Sequence, residues 1–489
     1  MRYCTPEQAG IPSAKVLELL QSLESKNLST HAVLMARGDQ IFCECYYKPF
    51  HKEFKHRMYS VSKSFVSVAV GFCEQDGLLS LDDPLIKFFP EYVKDLPPEK
   101  IPPSTLREML LMETSQEAAL SWFRVGGDDR VKTYFCEHTK KYPHTLFRYD
   151  SNGSFMLGAV VERVTGKPFM TYLHEKVLDD IGFSCDAYCL QTPGGHSWGD
   201  SGVMCTAMDL MRFARFVLNY GTWHGKRYLN EQYLRDATTP QVSVGDYGFV
   251  YHGAHGYGYQ FWGAPEGCFA MLGMGNQIAL CDPTHDFIFV INSDNQGNSY
   301  AYELIYEALF QTVIPFLGDP LPEDKEGLQM LARFGEDRKL FALKGPKNST
   351  FSHTVSGKTF VCEPNPMGWK WFRLQLTEGQ GTLHYENDQG VKELSFGLGQ
   401  NVFGSFSQEG YSDLVGTVSA PGHKYACACS ADWPEVQKLR IRVQIIDKYF
   451  GNLAIVLGFR DADHVSVRMS KTAEHFLQEY NGVLNAIAQ

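Results

Sequence analysis

Apolar residues recur three and four positions apart through the first two thirds of the chain and two apart through the last third. This change of period divides it. Val16, Leu19, Leu20 and Leu23 form one stripe over residues 12–26, with Ser13 placed to cap it, which predicts a helix. Two β-rich runs, 31–36 and 41–47, flank Arg37-Gly38-Asp39-Gln40 and predict a hairpin. Phe65 to Phe72 is an almost unbroken apolar run ended by Asp76-Gly77, and reads as a buried helix. Further helices are predicted at 105–112, 154–165, 169–178, 207–220 and 228–237. The 207–220 helix carries its stripe on Leu210, Phe213, Phe216 and Val217, with Gly221 as its stop. Four short apolar runs follow, 256–262, 268–273, 277–281 and 287–292, separated by turn sequences. They read as an antiparallel set. A helix at 300–314 closes this part.

Strands at both ends with helices between predict one mixed domain over 1–315, its strands joined in a single sheet. Residues 316–352 are charged and contain Pro and Gly, and read as a linker with a short helix near 328–334. Beyond it come eight short β runs, at 358–362, 371–376, 382–386, 393–396, 424–430, 439–446, 453–459 and 465–469. They predict an all-β accessory domain over 353–489, a sandwich or a lipocalin-like barrel. A helix at 473–484 is expected to end the chain. The fold class is therefore α+β followed by all-β.

Composition narrows the function more than the fold. The 489 residues are 44% hydrophobic and 21% charged, an ordinary globular balance. A net charge of -11 without a long basic run argues against nucleic acid or an anionic membrane as partner. No apolar stretch reaches the ~18 residues that a membrane span needs. The first residues, Met1-Arg2-Tyr3-Cys4-Thr5-Pro6, lack the apolar segment of a signal peptide, so a cytoplasmic location is expected. Thirteen scattered cysteines, with Cys43/Cys45 and Cys427/Cys429 in strand-like sequence, read as small buried residues of a reduced protein. No zinc spacing is present, and His252 with His255 forms a loop pair with no third ligand. No metal and no cofactor are expected.

The chemistry is sought at Ser60-Val61-Ser62-Lys63, the single Ser-x-x-Lys of the chain, where a polar segment meets the buried helix. A three-residue step on a helix returns Lys63 to the face of Ser60. A free serine hydroxyl is a weak nucleophile. An adjacent amine and the orphan N–H groups of a helix N-terminus are what would activate it. Two further segments stand with it: Tyr149-Asp150-Ser151-Asn152, leading into the 154–165 helix, and Met271-Leu272-Gly273-Met274-Gly275-Asn276 on the strand set.

With these three in order, the chain resembles the penicillin-recognising serine hydrolases: class C β-lactamases, D,D-peptidases, D-aminopeptidases and related esterases and amidases. The resemblance covers roughly residues 5–315. It includes Gly77-Leu78-Leu79-Ser80-Leu81-Asp82-Asp83-Pro84, the run Met156 to Lys167, and Gly202 to Leu210. It implies Ser60 as the acylated nucleophile, Lys63 as its base and Tyr149 as a second proton shuttle. The oxyanion hole would be the backbone N–H groups of Ser60 and Met274. The family pattern is Tyr-x-Asn or Tyr-x-Ser; here Ser151 fits the second form and Asn152 falls one place late, so either is a candidate for the cleft. His196 and Trp198, on a glycine-rich loop, are further candidates for lining it. So are Met271, Leu272 and Gly273. The relatives that act on penicillins carry Lys-Thr-Gly or His-x-Gly on that strand, where the cation holds the substrate carboxylate. Met271-Leu272-Gly273 keeps the glycine and lacks the cation.

The resemblance therefore implies a serine esterase or amidase on a small neutral ester or amide, with no cofactor. An acyltransferase or a D-amino-acid peptidase or amidase on the same fold is the alternative, and a non-catalytic penicillin-binding-like protein is another. Homo-oligomerisation through the C-terminal domain stays open at this stage.

Overall fold

The computed structural model describes residues 1–94, 101–115, 129–136, 141–245, 255–411, 419–474 and 476–489. Of the residues singled out above, His252 lies outside them. Among the described residues the chain divides into two compact units, Met1–Lys339 and the part from Leu340 onward.

The strands of the first unit are β1 (Arg2–Tyr3), β2 (Thr30–Arg37), β3 (Gln40–Tyr46), β4 (His56–Arg57), β5 (Tyr188–Cys189), β6 (Val203–Cys205), β7 (Thr222–Trp223), β8 (Lys226–Arg227), β9 (Trp262–Gly263), β10 (Phe269–Gly273), β11 (Gln277–Asp282) and β12 (Phe287–Ser293). Seven of them form one sheet in the order β1-β3-β2-β12-β11-β10-β9, and β4-β6-β5 form a small second one. The N-terminal hairpin and the late strands thus meet through β2 and β12, with Val33 opposite Ile291 and Met35 opposite Phe289.

A sheet covered on both faces needs apolar residues at consecutive positions, and β10, β11 and β12 are buried throughout. The two faces divide by alternation. Leu34, Ala36, Met271, Ala279, Ile288 and Val290 join the core around the Ser62–Gln75 helix. Met35, Leu272, Ile278, Leu280 and Phe289 join the core under the Ser13–Ser25 and Ala301–Thr312 helices. The Lys325–Glu336 helix, capped by Asp324, packs on the Ser13–Ser25 helix and belongs to this first unit.

The Ser62–Gln75 helix is buried from Ser62 to Cys73. It lies against the Ser151–Thr165 helix. The approach is close because of two glycines. A Cβ on Gly199 would lie 2.9 Å from Val66 Cγ2, and one on Gly158 would lie 3.6 Å from the same methyl.

Two expectations change here. The strand expected at 256–262 shrinks to β9, because the backbone bends at Gly256 (φ 98) and again at Gln260 (φ 64). The Ser151–Thr165 helix begins earlier than expected, since Asp150 caps it.

The second unit is a β-barrel. Its strands are β13 (Thr359–Cys362), β14 (Trp371–Thr377), β15 (Gln380–Asn387), β16 (Gly390–Leu398), β17 (Val402–Tyr411), β18 (Ser419–Glu435), β19 (Lys438–Ile446), β20 (Phe450–Phe459), β21 (His464–Thr472) and β22 (Gly482–Ala488). Nine of them close a ring, β16-β15-β14-β13-β22-β21-β20-β19-β18, by a parallel contact between β16 and β18; β17 pairs with β18 beside the ring. Alternation is clear in β14, where Phe372 and Leu374 point inward and Arg373 and Gln375 outward. The helix expected at 473–484 is not formed, and β22 occupies its end. Leu484 and Ala486 are buried while Val483 and Ile487 are exposed, a period of two that the five-residue run leaves open to either reading.

Candidate active site

Ser60 sits in a short 3-10 turn, Tyr59–Val61, that leads directly into the Ser62–Gln75 helix. The approach to it is constrained on every side. Met58 N–H donates to the Val203 carbonyl at 2.8 Å, and Val203 N–H donates to Ser62 Oγ at 3.0 Å, which ties the turn to β6. Tyr59 is buried with φ +48, a left-handed backbone in a non-glycine residue. Such a conformation costs roughly 1–3 kcal/mol and persists where the surroundings enforce it. The enforcing group is Arg57. Its guanidinium lies between the rings of Tyr59 (4.1 Å) and Trp198 (4.2 Å) and donates to the carbonyl and hydroxyl of Ser201.

Lys63 Nζ donates to Ser60 Oγ at 3.0 Å and to the Asp200 carbonyl at 2.8 Å. Tyr149 lies on the same group, its ring centroid 5.0 Å from Lys63 Nζ. The ring is held by stacking on Trp262, at 5.6 Å and 23°. Burial pushes the Tyr149 phenol well above its ordinary range, its hydrogen bond with Ser60 pulls the other way, and the charge of Asp200 raises it further. The phenol therefore carries its proton at neutral pH. Ser60 and Lys63 from one stretch and Tyr149 from another form one cluster.

The Asp150 carboxylate accepts from Asn152 N–H at 2.9 Å and so starts the Ser151–Thr165 helix. Burial raises the Asp150 carboxyl above its usual range, and the N–H groups of Gly153 and Asn152 oppose that. Asn152 is buried, and its Oδ1 accepts from Arg130 Nε at 3.2 Å and Nη2 at 2.8 Å. Ser151 is half-buried at the first helical position.

Arg130 and Asp200 carry no motif and were not foreseen. They form a buried two-pronged pair, Nη1 to Oδ1 at 2.6 Å and Nη2 to Oδ2 at 3.2 Å, with side chains 3% and 5% exposed. Because the Asp200 carbonyl also receives Lys63, the pair anchors the lysine from behind. Gln260 is a second unforeseen strut. Its carbonyl accepts from Ser64 Oγ at 2.8 Å, its Oε1 from Ser154 Oγ at 2.6 Å, and its Nε2 donates to the Met109 and Leu110 carbonyls. One residue thus joins three elements: its backbone carbonyl holds the helix after Ser60, and its side chain links the helix after Tyr149 to Leu106–Leu110.

The edge of β10 completes the arrangement. Gly273 lies so near Met58 that a Cβ on it would fall 2.3 Å from the Met58 carbonyl oxygen. Met274 follows, half-buried, in the turn to β11. Met271 is fully buried on the face toward the Ser60 helix, and Leu272 points to the opposite face. Trp198 is buried against Arg57. His196 lies 33% exposed, with Nδ1 on Glu162 Oε2 at 2.8 Å.

Comparison with known proteins points one way. A family model described as Beta-lactamase matches residues 19–311. Over 301 residues, 57% of this chain and 75% of the relative, the sequence is 26% identical to 6-aminohexanoate-dimer hydrolase of Paenarthrobacter ureafaciens. Among solved structures, a Bacillus anthracis protein provisionally assigned as a 6-aminohexanoate-dimer hydrolase matches with a TM-score of 0.51 at 22% identity, covering 60% of this chain and 83% of its own. EstCE1, described as a hydrolase with promiscuous acyltransferase activity, matches with a TM-score of 0.50 at 17% identity, covering 61% and 98%.

Proposed function

The chain belongs to the beta-lactamase family of hydrolases, and from that premise we propose that it cleaves a neutral ester or amide through an acyl-enzyme on Ser60. The observation that carries this reading is the 3.0 Å hydrogen bond between Lys63 Nζ and Ser60 Oγ. In the neutral form Lys63 takes the hydroxyl proton as Ser60 Oγ bonds to the substrate carbonyl carbon. The carbonyl electrons move to oxygen, facing the backbone N–H groups of Ser60 and Met274. Loss of one such donor typically removes about 2.7–4 kcal/mol of transition-state stabilisation. The tetrahedral species collapses, the bond to the leaving group breaks, and Tyr149 passes a proton to the departing nitrogen or oxygen. Water then attacks the acyl carbon, gives up a proton through the same groups, and releases a carboxylic acid with Ser60 restored.

Substrate choice follows from Met271. A fully buried thioether stands where penicillin-directed relatives place a cation. A substrate carboxylate would find no counter-charge from this position, so a neutral acyl part is favoured. The name 6-aminohexanoate-dimer hydrolase brings linear amides into the panel beside esters; that dimer is charged at both ends, so amides blocked at both ends are the better match to Met271. The name of EstCE1 raises acyl transfer as a second outcome of the same acyl-enzyme, read by product analysis with added alcohols.

The test combines a fluorophosphonate probe with a substrate panel. The intact mass should rise by one adduct in the native protein and not in Ser60→Ala. Short p-nitrophenyl esters should turn over and nitrocefin should barely react. An adduct that survives Ser60→Ala sinks the nucleophile assignment. Nitrocefin outpacing the esters sinks the reading of Met271.

A further inference from the structure

The barrel wall is incompletely sewn. β16 meets β18 at two register positions, Gly397 with Ser430 and Leu398 with Ala431. Upstream of these, the edge of β18 is taken by β17, at Val402 with Cys429 and Gly404 with Cys427. Among the described residues no ladder joins β16 to β17. A cavity of about 520 Å³ opens between them. That volume falls within the range typical of small-molecule sites. Its lining mixes outward residues, such as Val391 at 68% exposure, with inward ones, such as Leu394 and Lys392. The opening therefore runs through the wall.

Lys392 is the unusual group in it. The residue is 9% exposed, and its Nζ donates to Gln389 Oε1 at 2.8 Å and Tyr480 OH at 3.4 Å. Both acceptors are neutral, and an ammonium has three N–H donors. Neither bond goes to a carboxylate; Gln389 Nε2 in turn donates to Glu479 Oε1 at 3.4 Å. Behind it, Tyr480 OH, Tyr385 OH and Ser407 Oγ form a chain at 2.9 and 3.0 Å. Lys424 lines the same cavity. Burial pulls the Lys392 amine below its ordinary range; the charge of Glu479 opposes this and that of Lys424 adds to it. Gly404 lines the cavity too, and a Cβ built on it would meet nothing within 4 Å. The space is open at the side chain's expected position.

We propose that this opening binds a small organic carboxylate, its head on the Lys392 ammonium with Lys424 nearby, its short apolar body on Leu394 and Phe403. A buried cation whose direct acceptors are neutral gains from an incoming anion that reaches it more closely than Glu479, which acts from beyond Gln389. A carboxylate fits better than a phosphate dianion, because Val391, Leu394, Val402 and Phe403 put hydrocarbon in the lining and a single lysine there is buried. Glu393, the carboxylate in the lining, is 73% exposed and turned toward His384. The inference does not depend on the reading of Ser60.

The test uses the full chain and isothermal titration with sodium hexanoate, against hexanamide as the uncharged counterpart. Hexanoate should bind and hexanamide should not. Lys392→Met should weaken hexanoate binding by about 10-fold or more, a loss in keeping with removal of a charge-assisted hydrogen bond. Gly404→Trp, which places an indole at the cavity lining without changing a charge, should weaken it at least as much. Thermal melts report whether each variant is folded, and Gly404→Trp carries the test if Lys392→Met is not. Equal binding of hexanamide, unchanged affinity in either folded variant, or no heat from hexanoate with the native protein would each overturn the proposal.

Discussion

Removing either member of the Arg130–Asp200 pair tests whether the Ser60 cluster is held from behind. The two side chains are 3% and 5% exposed and share two hydrogen bonds. With charge centres about 4 Å apart, their attraction at an effective dielectric of about 20 is about 4 kcal/mol. Breaking a buried pair from one side typically costs about 3–5 kcal/mol, because the remaining charge is stranded. Asp200→Asn should fall near the lower end, since an amide oxygen can still accept from Arg130. Arg130→Met should fall at the upper end, since it strands Asp200 and strips two donors from Asn152. The double variant should lose little more than Arg130→Met alone, a coupling of about 2–3 kcal/mol. Urea unfolding of the four proteins measures this. Ester kinetics supply the readout that a purely structural role would not move. The Asp200 carbonyl receives Lys63, so kcat should fall by about 10-fold or more with KM little changed, as expected when a group is mispositioned for the chemical step. Arg130→Lys should recover stability in part but not kcat, because a single ammonium cannot fork to Asp200 and Asn152 together. Additive stability losses, or native kcat in Asp200→Asn, would refute the reasoning.

The remaining predictions concern pH and packing. His31 and His56 are buried side by side, Nδ1 to Nε2 at 2.8 Å, with His56 Nδ1 on the Arg57 carbonyl at 3.0 Å. The His56 Nδ1–H donates to that carbonyl, so its Nε2 accepts from His31 Nδ1–H, and a second proton on His56 would break that bond. Burial holds His31 well below its ordinary value and lowers His56 to about 3. Both values are depressed, so their contribution is complete above the unfolded value near 6.5 and falls as the pH drops below it, for His56 down to about 3. At pH 5 the loss from His56 should be about 2 kcal/mol, with His31 acting in the same direction, and urea midpoints that stay level from pH 7 to pH 5 would contradict this. Gly273→Ala forces a Cβ to 2.3 Å from the Met58 carbonyl oxygen; it should cost about 1–3 kcal/mol and most of the ester activity. A native melt and native rate in that variant would show that β10 and the Ser60 turn are not in the register described.

What could be read from the chain depended on whether a signal was local. The stripe of Val16, Leu19, Leu20 and Leu23 was legible because a helix repeats its own period, and all four are buried. Ser60 and Lys63 were legible for the same reason, being one helical step apart. Tyr149 depended on the family pattern, since nothing in its immediate neighbours distinguishes a turn tyrosine from one aimed at a serine. Arg130 and Asp200 gave no sign, because their meaning lies in meeting each other across seventy positions. The two-residue strands β4 and β5 were too short to show a period. At the C-terminus Gly482 to Ala488 alternates weakly, and ring closure by β13 and β21 made it a strand.

The close contact of Val66 with Gly158 and Gly199 has a bearing on how such a protein could diversify. Val66 and Gly158 lie on the helices that follow Ser60 and Tyr149, and Gly199, which meets both, precedes the Asp200 carbonyl that holds Lys63. Side chains around the mouth of the site can then be exchanged without retuning the chemistry. Conversely, one methyl added at Gly199 would press on Val66 of the Ser60 helix and should disturb the reaction for every substrate alike. Selectivity and reactivity are thus under separate genetic control, and variation should accumulate in the first while the second stands still.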